Sequence, residues 1–349
     1  MILVIGPGAV GSFLGWTLAR AGEAVELLGR SGVDRLEEVS VSGPAVAPEA
    51  AGARGPALPA GPIRLAGSPG SVSAVPELIL IAVKMPDLAG AIEAAARWPE
   101  ATVVAVQNGV GAEDLILARR PRGGLIAASL TTSVERSEDG SIRRLSRGGI
   151  VLAPVRGDVT AAIGRLVDAF VAGGLRARPT ADPVALRWSK LLVNLMGNAT
   201  GAITDLEPTA VYRDPILFGI ERRQTAEALA EMAGLHVRPV KLFGADARLL
   251  PIAARLPGRL VQPILVRIVA AGRGGKRPSL HLHLDAGGGA PSEVDWLNGA
   301  VARAAVARGR TAPVNARLAE ILDACNRDPE RRAWFRGRPD RLLEAVSSD

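Results

Sequence analysis

Aromatic side chains are scarce: five Phe, five Trp and one Tyr among 349 residues, or 3%. The cores must therefore be packed from Ala, Val, Leu and Ile, and the stacking platforms of single-stranded nucleic-acid readers have no material to be built from. Cysteine occurs once, at Cys325, which excludes an internal disulfide and fits a reducing compartment. No apolar run is long enough for a bilayer: the most apolar later stretch, 260–271, is interrupted by Pro263 and Arg267. Met1 leads straight into Ile2-Leu3-Val4-Ile5 and a glycine turn, without the basic opening of a signal peptide. A cytoplasmic protein with no membrane partner is expected. Runs of like charge are also missing. The net charge is +7, but no stretch holds five consecutive basic residues, so no nucleic-acid partner is expected and an anionic small molecule suits the balance better. Lysine is nearly absent, with only Lys84, Lys190, Lys241 and Lys276 among 42 basic residues.

What is present is a globular composition, 48% hydrophobic and 22% charged, long enough for two packed domains. The first half alternates short apolar runs with helical stretches, the pattern of a parallel sheet covered on both faces. Strands are expected at 2–5, 24–28, 78–83, 102–106 and 124–128, and helices at 11–21, 87–98 and 112–119. The stretch 42–70, rich in Ala, Gly and Pro, reads as a loop with one or two short strands. Shorter strands at 141–145 and 150–153 and a helix at 158–172 follow. Beyond Asp182-Pro183, a cap and first helical residue, nearly every periodic segment is helical. The expected fold class is α/β: a Rossmann-type doubly wound parallel sheet in a dinucleotide-binding domain, residues 1–180, then an all-α substrate and catalytic domain, residues 181–349.

Gly6-Pro7-Gly8-Ala9-Val10-Gly11 matches G-x-G-x-x-G directly after a strand and opens a helix. The first glycine permits the turn, the second lets backbone approach a pyrophosphate, and the third brings helix and strand together. Gly6, Gly8, Ala9, Val10 and Gly11 are therefore expected at the cofactor, where the helix N-terminus offers N–H donors to an anion. An NAD enzyme usually carries a carboxylate at the end of the second strand to hold the ribose 2′-OH. Here that strand ends Leu27-Leu28-Gly29-Arg30, with Glu26 inside the strand pattern. Arg30 could pair with a 2′-phosphate, which makes NADP (NADPH) the expected cofactor. A solvated surface arginine is the alternative.

Further motifs follow in order: Val83-Lys84, Gln107-Asn108-Gly109, Lys190-Leu-Leu-Val-Asn194-Leu-Met-Gly-Asn198, Pro278-Ser279, Ser292-Glu293-Val294-Asp295-Trp296-Leu297-Asn298-Gly299 and Ala312-Pro313-Val314-Asn315. In order and spacing they resemble the ketopantoate reductase (2-dehydropantoate 2-reductase) family, nearly end to end. Five of the six asparagines and two of the four lysines fall inside them. Lysine can lose a proton at working pH and arginine cannot, so a lysine kept in an arginine-using chain points to proton chemistry.

The resemblance implies reduction of 2-dehydropantoate to (R)-pantoate by NADPH, a step toward pantothenate and coenzyme A. Lys190 takes the position of the family's proton donor, Glu293 that of its active-site glutamate, also near the cofactor, and Ser279 that of its substrate-binding serine. The i, i+4, i+8 spacing of Lys190, Asn194 and Asn198 puts all three on one face of a continuous helix, with both asparagines toward substrate. Asn108 and Lys84 follow strands at the carboxyl edge of the sheet. Asn108 is expected at the cofactor and Lys84 near the cofactor or the substrate carboxylate.

The segment from Ser279 to Glu293 departs from the family pattern. Two residues are inserted between Ser279 and Asp285, and small residues replace the usual arginine before Ser292-Glu293. This favours, as an alternative, a reductase of a different 2-oxo acid; a regulatory protein that binds NADPH without catalysis is the rival from another class, and Lys190, Asn194, Asn198, Ser279 and Glu293 together argue against it. His281-x-His283-x-Asp285 would form a metal triad on a strand but diverge on a helix; the family arrangement is helical and hydride transfer needs no metal, so no metal site is expected. The partner expected is a small 2-oxo acid, with room left for a homodimer.

Overall fold

The computed structural model describes residues 1–43, 61–273, 277–287 and 289–347. The chain divides into two compact units, one of residues 1–107 and 111–186, the other of residues 108–110 and 187–349. Among the described residues no helix is long and apolar enough to cross a membrane.

Among the described residues the first unit is built on a nine-stranded sheet. Its order is Ala177–Pro179, Ile150–Arg156, Leu125–Leu130, Thr102–Ala105, Leu78–Ile81, Ile2–Ile5, Val25–Leu28, Ile63–Ala66 and Arg35–Glu37. The run from Leu125–Leu130 to Ile63–Ala66 is parallel. Ile150–Arg156 and Arg35–Glu37 join antiparallel. The continuous apolar sequence Leu78-Ile79-Leu80-Ile81 is at most 3% exposed, as a strand covered on both faces requires. Ile2–Ile5 pairs with Val25–Leu28 on one side and Leu78–Ile81 on the other, so the strand order reverses beside it. That reversal is where an open α/β sheet leaves a ligand crevice.

Between the strands lie helices Ala9–Arg20, Leu88–Ala95, Ala112–Arg119 and Thr160–Ala172. A second sheet of Val41–Ser42, Ile142–Arg144 and Val134–Arg136 packs against Ala9–Arg20. Of the loop expected over 42–70, residues 44–60 lie outside the described residues, as does Lys276.

Among its described residues the second unit is helical apart from a two-residue ladder, Lys241–Leu242 with Ala245–Asp246. Three helices begin with Asp-Pro. Asp182 accepts from Ala185 N, Asp214 from Ile216 N and Leu217 N, and Asp328 from Glu330 N and Arg331 N. The aspartate satisfies donors that the first turn leaves open, and the proline loses nothing there for want of an N–H. Leu191, Leu192 and Leu195 of helix Pro183–Leu195 are buried in this unit's core with Ile203, Leu217, Ile220, Val301 and Leu318.

Candidate functional site

Gly6 takes φ +98°, the left-handed region open to glycine. A Cβ on Gly11 would stand 2.0 Å from Gly6 O, so the third glycine is required for the helix to leave the strand so closely. Gly8 is different: a Cβ there would meet nothing within 4 Å. Its backbone faces open space at the N-terminus of Ala9–Arg20, with Ala9 and Val10 in the first turn. A pyrophosphate fits these features, since bare backbone donors face a space no side chain fills.

The carboxylates near the end of the second strand are already engaged. Glu26 is 2% exposed, ion-paired with Arg64, and accepts from Ser73 N at 3.1 Å and Ser73 Oγ at 2.7 Å. Asp34 accepts from Gly67 N at 2.8 Å and Ser71 Oγ at 2.6 Å and pairs with Arg64 at 2.9 Å. Arg30, by contrast, is 87% exposed and meets Asp87 at 3.0 Å. Lys84 is exposed at the end of the neighbouring strand, before the turn Met85–Asp87. Gln107 Nε2 donates to Ile81 O at 2.7 Å and closes off the strand ends beside it.

In the second unit, Lys190 and Asn194 lie one turn apart on helix Pro183–Leu195, both partly buried. Asn194 Nδ2 donates to Asn108 Oδ1 at 3.3 Å. Asn108 groups with this unit, and Val110 N is bonded to Trp296 O at 3.1 Å. The same turn, Glu293–Trp296, begins with Glu293, which is 8% exposed. Ser292 caps it, accepting from Val294 N at 3.3 Å.

Asn198 does not continue the face of Lys190 and Asn194, and here the sequence expectation is corrected. The helix ends at Leu195, Gly197 turns left-handed at φ +59°, and Asn198 starts a second helix, Ala199–Thr204. Glycine just past a helix end is a common stop. The stop is held from the side by Glu221, which accepts from Gly197 N at 2.8 Å, Thr200 Oγ1 at 2.6 Å, Tyr212 OH at 2.9 Å and Gln224 Nε2 at 2.8 Å. Burial pushes the Glu221 carboxyl upward, against these four donors. Asn198 is 3% exposed and accepts Leu280 N on its Oδ1 at 3.3 Å, so it grips the helix Ser279–Asp285. Ser279 itself is exposed in the first turn of that helix.

Asn298 and Asn315 form a polar network that the motif reading did not assign. Asn298 Nδ2 donates to Gln224 Oε1 at 2.9 Å and Asn315 Oδ1 at 3.0 Å, and Asn315 Nδ2 donates to Glu227 Oε2 at 2.7 Å. Both are fully buried, so their role is to fix helix Pro215–Gly234, and with it Glu221.

The three candidate metal ligands do not all diverge. His283 turns away to Ala290 O at 3.0 Å, while His281 and Asp285, one helical turn apart, come together with Asp205. His281 Nε2 lies 2.7 Å from Asp205 Oδ1. Arg277 and Arg332 pair with Asp285 at 2.7 and 2.6 Å, and Arg336 pairs with Asp205. Three guanidiniums from the chain itself thus meet the carboxylate charge that a cation would need.

Two family models match the chain: Ketopantoate reductase PanE/ApbA over residues 2–157, and Ketopantoate reductase PanE/ApbA C terminal over residues 183–326. The 2-dehydropantoate 2-reductase of Halobacterium salinarum is 29% identical over 332 residues, covering 94% of this chain and 99% of that protein. A PanE/ApbA family ketopantoate reductase from Ralstonia eutropha JMP134 superposes with a TM-score of 0.71 at 24% identity, covering 95% and 100% of the two chains. A D-mandelate dehydrogenase with NADH and anilino(oxo)acetate superposes with a TM-score of 0.71 at 19% identity over 96% of this chain and 99% of its own. The expected α/β class, a parallel-dominated sheet followed by a helical region, is the fold these structures share.

Proposed function

The chain belongs to the ketopantoate reductase family, and from that premise we propose that it is an NADPH-dependent oxidoreductase reducing 2-dehydropantoate to (R)-pantoate. One observation carries the reading most directly. A partly buried lysine and the asparagine one turn on stand on one helix, and the asparagine is bonded to the Asn108 that follows the sheet strand Thr102–Ala105.

Bound NADPH supplies the hydride; Gly6, Gly8, Ala9, Val10 and Gly11 would hold its pyrophosphate and Arg30 its 2′-phosphate. The engaged state of Glu26 and Asp34 supports this cofactor preference, because neither carboxylate is left to greet a ribose 2′-OH. Negative charge grows on the substrate oxygen as the ketone is reduced, and Lys190 places its ammonium proton there. Asn194 and Asn108 orient substrate and nicotinamide, and Asn198 acts through the Ser279 helix it grips. Glu293 orders the lysine and substrate, and Lys84 attracts the substrate carboxylate.

The test is turnover followed at 340 nm with a panel of 2-oxo acids. The branched, hydroxylated 2-dehydropantoate should outpace pyruvate; equal rates would favour the second reading, a reductase of another 2-oxo acid, to which the altered Ser279–Glu293 segment gives weight. NADPH binding without any turnover would instead favour the regulatory alternative.

We place the protein in the cytoplasm, with its lone thiol, Cys325, buried on helix Pro313–Arg327. We also read it as a homodimer. Leu260, Ile264 and Ile268 form an outward row on helix Gly258–Arg273, 49–57% exposed, an apolar strip of the kind homodimers cover. Sedimentation of Ile264→Glu checks this: a wild-type protein already monomeric would defeat it.

A further inference from the structure

The glycine turn is held from outside the strand and helix that form it. Arg136, at the end of Val134–Arg136, donates from Nη1 to Pro7 O at 2.8 Å and from Nη2 to Glu37 Oε1 at 2.7 Å. Ser12 Oγ donates to the same carbonyl at 3.2 Å. Glu37, 11% exposed, also meets Arg35 at 3.3 Å. Two guanidiniums thus share one carboxylate, and the group keeps an excess of positive charge beside the turn.

Pro7 has no N–H to offer a phosphate, and its carbonyl oxygen is a group an anion would avoid. Two donors cap that oxygen, which leaves the turn presenting its N–H groups and an arginine one residue from the open Gly8. Arg136 remains 37% exposed, and an arginine has five N–H donors in a planar fork, more than these two acceptors use.

We propose that Arg136 is a further cofactor-binding residue, supporting the dinucleotide pyrophosphate, with Glu37 as the residue that positions it. The inference rests on the reading of Gly6–Gly11 as the pyrophosphate turn. It concerns the pyrophosphate and not the 2′-phosphate because the contact is to the end of the first strand. Arg30 stands at the end of the second. The two arginines therefore divide the cofactor between them. Arg136 acts on every dinucleotide and Arg30 discriminates among them.

Fluorescence titration with NADPH and NADH, and competition by ADP and 2′-AMP, separate these roles. Arg136→Ala should raise Kd for NADPH and NADH by the same factor, on the order of tenfold for a lost charged hydrogen bond. It should weaken ADP likewise and leave 2′-AMP within twofold. Arg30→Ala should do the reverse, weakening NADPH and 2′-AMP while sparing NADH and ADP. Arg136→Lys keeps the charge but cannot span both acceptors, and should fall between wild type and Arg136→Ala; it carries the comparison if the alanine variant does not fold. Unchanged Kd values in both Arg136 variants, or a loss confined to NADPH and 2′-AMP, would overturn the assignment. Wild-type protein that binds neither dinucleotide would overturn the cofactor reading itself, a result distinct from either.

Discussion

His281 Nε2 stands 2.7 Å from Asp205 Oδ1, and Leu280 N, one residue earlier, stands 3.3 Å from Asn198 Oδ1. Asn198 and Asp205 flank the two ends of helix Ala199–Thr204. The helix that carries Ser279 is therefore clamped at both ends of one short neighbour. His281→Leu removes a fully buried donor from a carboxylate, at a cost of about 2 kcal/mol. A lower melting temperature and a raised KM for the 2-oxo acid are expected, with KM for NADPH unchanged. His281→Gln, which keeps an N–H donor, should recover part of both. A KM for the oxo acid equal to wild type in His281→Leu would show that the clamp does not set the position of Ser279.

The same cluster should make the protein sensitive to acid. Burial pushes the Asp205 carboxyl up, but hydrogen bonds from His281 and Arg336 outweigh it and hold the group below its ordinary 3.8. Asp285 is held low in the same way, with Arg332 and Arg277 outweighing burial. A carboxylate whose pKa is lower folded than unfolded adds stability above its unfolded value, and loses it as pH falls through the folded value. Melting temperature should accordingly drop steeply below about pH 4. Asp205→Asn, less stable at neutral pH, should show a shallower drop between pH 6 and pH 3. Parallel curves for the two proteins would remove Asp205 from the acid response.

Lys190→Ala should lower kcat by on the order of 100-fold or more, the range for a positioned proton donor. NADPH affinity should stay near wild type, since the groups assigned to the cofactor's phosphates, Gly6–Gly11 and Arg30, belong to the first unit. The reading of Lys190 as donor would be lost if kcat survived while KM alone changed.

Local physics made much of this molecule legible in its sequence, and distance set the limit. The strand Leu78–Ile81 announces itself as an apolar run, and Asp182-Pro183 as a helix start, because each signal is contained in a few neighbours. The edge strands Arg35–Glu37 and Ala177–Pro179 give no such signal: three residues each, with mixed polarity and no period to read. Asn198 leaves the expected face because Leu191–Met196, apolar but for Asn194, gives no sign of the stop at Gly197, and the carboxylate that holds the stop, Glu221, lies 24 residues away. Nothing local could have joined Arg136 to Pro7, 129 residues apart. Even so, the long-range partners act on segments the motifs had already marked.

The glycine turn permits a sharper separation of folding from binding than any charged residue. Gly11→Ala puts a methyl 2.0 Å from Gly6 O, against backbone that cannot swing aside as a flexible side chain would. The helix must move off the strand, and a destabilisation of a few kcal/mol is expected, as in other overpacked sites. Gly8→Ala meets no protein atom within 4 Å, so its melting temperature should stay within a degree or two of wild type. Yet the methyl stands where the pyrophosphate must approach the backbone, and NADPH affinity should fall on the order of tenfold or more. Thermal melts and fluorescence titrations on the two variants decide the matter. If Gly8→Ala binds NADPH as wild type does, the open face of the turn is not the phosphate site, and the cofactor must lie elsewhere on the sheet edge.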